Sequence, residues 1–129
     1  MIKIVGSDRL INEYIADIIE GHYEPHILEL QSESLEELQN HSKQLGEADL
    51  IIINLSLSGA DCQSKLKLIK TASEAQVIAL HTYASGNLHS TFIAMGASEY
   101  LSIYSSAEEF NEVIERLISN WKSTKGLNN

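Results

Sequence analysis

The stretch Asp49-Leu50-Ile51-Ile52-Ile53-Asn54-Leu55-Ser56-Leu57-Ser58-Gly59-Ala60-Asp61 decides how this chain is read. Residues 50–53 are apolar without interruption, Asn54 is polar, and a short loop with a glycine follows. An unbroken apolar run of this length marks a strand covered on both faces, as in a parallel sheet, rather than the alternating pattern of a half-solvated strand. In open α/β sheets, ligands and chemistry sit just beyond the carboxyl ends of the strands. Asn54 therefore stands at the functional rim of the expected sheet.

Working outward, strand and helix signals alternate. Met1 to Val5 is a short apolar run. Asp8 can cap a helix whose apolar positions, Leu10, Ile11, Tyr14, Ile15, Ile18 and Ile19, form one stripe at helical period, and Gly21 can stop it. Pro25 precedes a second strand over His26 to Leu30, a place where proline can open a strand without interrupting it. Ser34 begins a second helix carrying Leu35, Leu38 and Leu45, ended by Gly46. Asp61 reads as the cap of a third helix with Leu66, Leu68 and Ile69. Gln76 to Leu80 is the fourth strand, a fourth helix runs from about Asn87 to Met95 and ends at Gly96, and Glu99 to Ile103 is a short fifth strand.

The last helix is the clearest element. Ser106-Ala107-Glu108-Glu109 is a capping box, and Phe110, Val113, Ile114, Leu117, Ile118 and Trp121 follow at i, i+3, i+4, i+7, i+8 and i+11. Lys122 and Lys125 lie near its carboxyl end, where positive charge is favoured. Five strands and five helices in alternation predict an α/β fold: a flavodoxin-like (βα)5 three-layer sandwich around a five-stranded parallel sheet of order 2-1-3-4-5, with right-handed crossovers. One domain over 1–122 is expected, followed by a disordered polar tail over 123–129.

Composition narrows the function. The 129 residues suffice for one core, and 43% hydrophobic with 21% charged residues is ordinary for a globular protein. No apolar run approaches the ~20 residues of a membrane helix, and Met1 to Val5 reads as a strand, not a secretory signal, so a cytoplasmic location is expected. The net charge of −9 repels nucleic-acid backbones and anionic lipid, which argues against either as a partner of this domain alone and suits a protein partner with a basic patch. The single cysteine, Cys62, excludes an internal disulfide and a cysteine-based zinc cluster.

Two stretches carry a family likeness. Val77-Ile78-Ala79-Leu80-His81-Thr82-Tyr83 follows the same strand-to-loop pattern as residues 49–61, and Ala94-Met95-Gly96-Ala97-Ser98-Glu99-Tyr100-Leu101 contains a run of alanine, any residue, glycine-alanine, two residues, tyrosine-leucine. With Asp49 to Asp61 they make the chain, from Ile2 to about Lys122, resemble a response-regulator receiver domain of two-component signalling and phosphorelays. The resemblance implies a phosphorylation pocket at five positions, and all five depart from the pattern. Gly6 and Ser7 stand where two acids would hold Mg²⁺, a cation that demands oxygen ligands. Asn54 replaces the phosphate-accepting aspartate, His81 (with Thr82 beside it) replaces a hydroxyl residue, and Ile103 replaces a lysine. Tyr104 takes the place of the proline that usually follows.

Asp8 survives nearby, but one carboxylate opposite an amide and a serine is a poor Mg²⁺ site. The expectation is therefore a pseudo-receiver: not an enzyme, without metal or cofactor, and acting through protein–protein contact. The likeness further implies an output surface built from the fourth helix, fifth strand and last helix, with Tyr100 as switch aromatic and Tyr104 beside it, and a possible homodimer through those elements. The competing readings are a flavin- or nucleotide-binding domain using Gly6, Ser56 and Ser58, and the receiver half of a transcriptional regulator. His81 reads as a hydrogen-bonded pocket histidine, Cys62 as a small inert residue, and His22, His26, His41 and His89 as surface residues.

Overall fold

Five parallel strands form the middle layer: β1 (Ile2–Gly6), β2 (Pro25–Glu29), β3 (Leu50–Asn54), β4 (Gln76–His81) and β5 (Glu99–Ser102), in the order β2-β1-β3-β4-β5. Six helices flank them: α1 (Arg9–Ile19), α2 (Leu35–Asn40), α3 (Ser42–Gly46), α4 (Gly59–Ala72), α5 (Gly86–Ala94) and α6 (Ala107–Gly126). This computed structural model describes the backbone of residues 1–55, 59–81 and 86–126, and the side chains of these except 59–61, 86–89 and 121–126. The expected sheet order is the observed one.

The register shows why β3 dominates the sequence. Ile52 lies between Ile4 of β1 and Ile78 of β4, and Ile51 between Lys3 and Val77. Alternate side chains point to opposite faces of the sheet. Ile51 and Ile53 join Val5, Val77 and Ala79 in a core closed by Leu38, Leu45, Leu66 and Ile69 from α2, α3 and α4. Leu50 and Ile52 join Ile4, Ile78 and Leu80 in a second core closed by Ile15, Ile19, Phe110 and Ile114 from α1 and α6. A strand serving two cores has no solvent face, so it carries no polar alternation.

Local signals account for several element ends. The Asp8 carboxylate accepts from the backbone N–H groups of Leu10 and Ile11, the Ser34 hydroxyl from that of Glu37, and the Ser106 hydroxyl from that of Glu109. Gly96 turns the chain from α5 into β5 with φ +111°, a conformation that L side chains rarely adopt.

The structure corrects several expectations. The helix expected from Ser34 to Gly46 is two helices, broken at His41, where the backbone leaves helical geometry (φ −106°, ψ 20°). The Ser42 hydroxyl donates to the Gln39 carbonyl at 2.6 Å, capturing an acceptor at the break. His41 is only partly exposed and sits 3.1 Å from the Glu37 carboxylate, not on the open surface. Leu10 and Tyr14 lie outside the core: Leu10 is 77% and Tyr14 50% exposed, while Asn12 takes a buried place between them. α4 begins at Gly59, two residues before Asp61, so Asp61 is not its cap.

α6 carries helical backbone to Gly126, into the segment 123–129 read as a tail. β5 ends at Ser102, leaving Ile103 just outside the strand. Among the described residues, no helix is long and apolar enough to cross a membrane.

Candidate functional site

β1, β3 and β4 end together at one rim of the sheet, which brings Gly6, Asn54 and His81 into one neighbourhood. A Cβ built on Gly6 would lie 3.5 Å from the Asn54 Cβ and 2.9 Å from the Asn12 Oδ1. Asn12 is 1% exposed, and its Nδ2 donates to the Gly6 carbonyl oxygen at 2.9 Å. The space beside Gly6 is thus filled by a neutral amide from α1, held by its own hydrogen bond. A second amide, Asn54, faces the same space, and neither amide carries the charge a divalent cation needs.

The next residues form a separate network. The Ser7 hydroxyl donates to Glu33, in the loop after β2, and the other oxygen of Glu33 is 3.0 Å from the Lys65 Nζ. The Lys65 side chain is 4% exposed and that of Glu33 41%. A buried ammonium is tolerated only when a carboxylate offsets its lost hydration, and Glu33 is that carboxylate. Ser7, Glu33 and Lys65 tie the loop after β1, the loop after β2 and α4 together. Asp8, the acid that follows Ser7, spends its carboxylate on the α1 cap. Among the described residues, no group of three or more His, Cys, Asp or Glu is placed to hold a metal ion.

On the other side of β4, His81 is 1% exposed and belongs to an aromatic stack. Its ring centroid lies 5.8 Å from that of Phe92 and 6.4 Å from that of Tyr100, and Phe92 stacks on Tyr100 at 5.4 Å with an 18° interplanar angle. Offset stacks at such separations add to the area that the rings bury. Phe92 belongs to α5 and Tyr100 to β5, so the stack joins the fifth helix to the sheet. Tyr100 is buried, whereas Tyr104 is 77% exposed, held by a bond from its backbone N–H to the Ser102 hydroxyl at 3.0 Å. Ile103 donates its backbone N–H to the His81 carbonyl at 3.0 Å, and its side chain packs on the core under α1 and α6. An apolar side chain therefore stands where the family likeness implies a lysine.

The structure thus brings Gly6 and Asn54 together, and His81 with Tyr100. It gives Ser7 to Glu33 and Asp8 to the helix cap. Thr82, with Ser56, Leu57 and Ser58, lies outside the described residues, as do the side chains of His89 and Trp121. Asn12, Glu33, Lys65 and Phe92 were not singled out in the sequence. Two of them had a signal. Asn12 precedes Ile15 by three and Ile19 by seven, and Lys65 follows Cys62 by three and precedes Ile69 by four. Each is a polar residue on an otherwise apolar helical stripe.

No protein-family model and no curated protein matches the chain. Solved structures do. A signal receiver domain from Vibrio parahaemolyticus superposes with TM-score 0.79 at 16% identity, covering 99% of this chain and 96% of that one. The N-terminal domain of a response regulator/sensory box/GGDEF protein from Carboxydothermus hydrogenoformans gives 0.74 at 18% identity, covering 95% and 97%. The beryllofluoride-activated NtrC4 receiver domain, solved as a dimer, gives 0.73 at 22% identity, covering 93% and 97%. The fold of the chain is the receiver-domain fold.

Proposed function

We propose that the chain is an atypical receiver that acts in signal transduction through protein–protein contact, without aspartyl phosphorylation. One observation carries this reading: the space beside Gly6, against Asn54, is occupied by the buried Asn12 amide. Phosphoryl transfer to a receiver needs an acceptor carboxylate, oxygen ligands for Mg²⁺ and a cation for the phosphate. Here the acceptor position is an amide and the lysine position is Ile103. Lys65, the buried cation among the described residues of this rim, is engaged by Glu33.

A pocket closed in this way fixes one arrangement of the rim in place of a switch between two. The partner would meet a constitutive surface, with Tyr104 open to it and Tyr100 locked beneath by Phe92. The negative net charge suits a partner with a basic patch, and a homodimer through β5 and the last helices fits the same surface.

Intact-mass spectrometry after incubation with Mg²⁺ and acetyl phosphate tests the reading. The expected result is an unchanged mass. A gain of one phosphoryl group would overturn it.

A further inference from the structure

The rim opposite Gly6 and Asn54 holds a cavity of about 380 Å³. It lies where β1 and β3 begin, beside the loop that leads into β2, and is walled on one side by α6. Volumes near 300 Å³ and above are typical of small-molecule sites. Its floor is apolar: Ile2, Leu50 and Leu117 are core residues of the α1–α6 face, and Ile118 packs against them. The depression is half open to solvent, and its apolar floor is continuous with that core.

The rim of the cavity is polar and acidic. Glu24 and Asp49 bring carboxylates and Gln76 an amide. Among the described residues that line the cavity there is no lysine or arginine. His26 adds an imidazole at the same mouth. Tyr23 lines the same cavity, and its phenol, neutral at physiological pH, can hydrogen-bond there. The overall charge of −9 adds a field that draws in cations and repels anions.

We propose that this cavity binds a small amine: an aliphatic or aromatic body seated on Ile2, Leu50 and Leu117, with a primary ammonium head at the Glu24 carboxylate. The site is separate from the rim at Gly6 and Asn54, and it stands whether or not that rim accepts phosphate.

Titration of the full chain with 2-phenylethylamine, followed by amide ¹H–¹⁵N correlation spectra, tests it. 3-Phenylpropionate serves as the anionic counterpart with the same ring and spacer. The expected result is saturable shifts centred on Ile2, Tyr23, Leu50 and Leu117 with the amine, and binding of the carboxylate weaker by about ten-fold or more. Glu24→Gln, at an exposed position that leaves the fold untouched, should weaken the amine by roughly three- to ten-fold. Ile118→Trp should fill the cavity and abolish the shifts. Shifts that do not saturate, shifts centred on Gly6 and Asn54, equal binding of the carboxylate, or an unchanged affinity in Glu24→Gln would each overturn the proposal.

Discussion

The side chain of Asn12 reaches under Gly6, donating to its carbonyl oxygen at 2.9 Å while its own Oδ1 fills the place where a side chain on residue 6 would begin. The two residues specify each other. A Cβ at position 6 meets Oδ1 at 2.9 Å, closer than real side chains come, so Gly6→Ala must displace a buried, bonded amide. Gly6→Ala should cost about 1–2 kcal/mol of stability. In an Asn12→Ala background the same change should cost less by about 0.5–1 kcal/mol, because the obstruction is gone. Urea unfolding of the four proteins of that cycle measures the coupling, and additive costs would refute it.

Lys65 and Glu33 should respond unequally to substitution. Glu33→Gln strands an ammonium whose side chain is 4% exposed, whereas Lys65→Met leaves a carboxylate that is 41% exposed and can hydrate. Breaking fully buried pairs costs about 3–5 kcal/mol, and the open side of this one reduces that. Glu33→Gln should lose about 1–2 kcal/mol, with Lys65→Met losing less than half as much. Melting temperatures should then fall by about 3–6 °C and by no more than about 2 °C respectively. The reverse order would show that Lys65 is not held by its charge partner.

Asn54→Asp alone should not restore phosphorylation. The new carboxylate would face the Asn12 amide and the bare Gly6, with Ile103 packed into the apolar core where a lysine would be needed. A single acid provides too few oxygens for Mg²⁺. Incubation with Mg²⁺ and acetyl phosphate should leave the intact mass of the variant unchanged. A stoichiometric phosphoryl adduct would show that the acceptor was the only missing group.

Tyr23 should impart an alkaline limit to stability. Burial, and then the Glu115 carboxylate, raise its pKa above the ordinary 10.0, so the folded chain holds that proton more tightly than the unfolded chain. The stability linked to it is fully present below about pH 10 and is lost as pH rises through the folded value. The difference in unfolding free energy between the natural chain and Tyr23→Phe should be flat up to about pH 9 and should shrink above pH 10. A difference that stayed flat to high pH would remove the linkage.

How much of this was legible in the sequence depended on whether one physical rule acted alone. The strands were legible because burial on both faces leaves an unbroken apolar run, as in Leu50 to Ile53; their alternation with helices implied a parallel sheet, and the order came from the flavodoxin-like arrangement usual at this length. The break at His41 was hidden because Leu38 and Leu45 are seven apart, a spacing one long helix satisfies as well as two short ones. What decides between them is the poor helix propensity of Asn40, His41 and Ser42 and the bond from Ser42 to Gln39. The rim was legible as a list of positions, Gly6, Ser7, Asn54, His81 and Ile103, but not as a packing arrangement. Asn12, Glu33 and Lys65 come from a helix, a loop and another helix, and only the fold brings each to its partner. Leu10 and Tyr14 misled for the opposite reason: they match the helical period, yet they flank the buried stripe and face solvent.

The order β2-β1-β3-β4-β5 also sets the tempo at which the molecule comes together. Every pairing of neighbouring strands is parallel, so none can zip from a tight hairpin, and β1 must wait for β3 across the whole of residues 7–49. Closing such loops costs entropy before any contact repays it, which slows acquisition of the native state. A chain emerging from the ribosome would expose the greasy Leu50–Ile53 segment before β4 exists to cover its second edge, and unpaired apolar strands of that kind are the ones most open to aggregation.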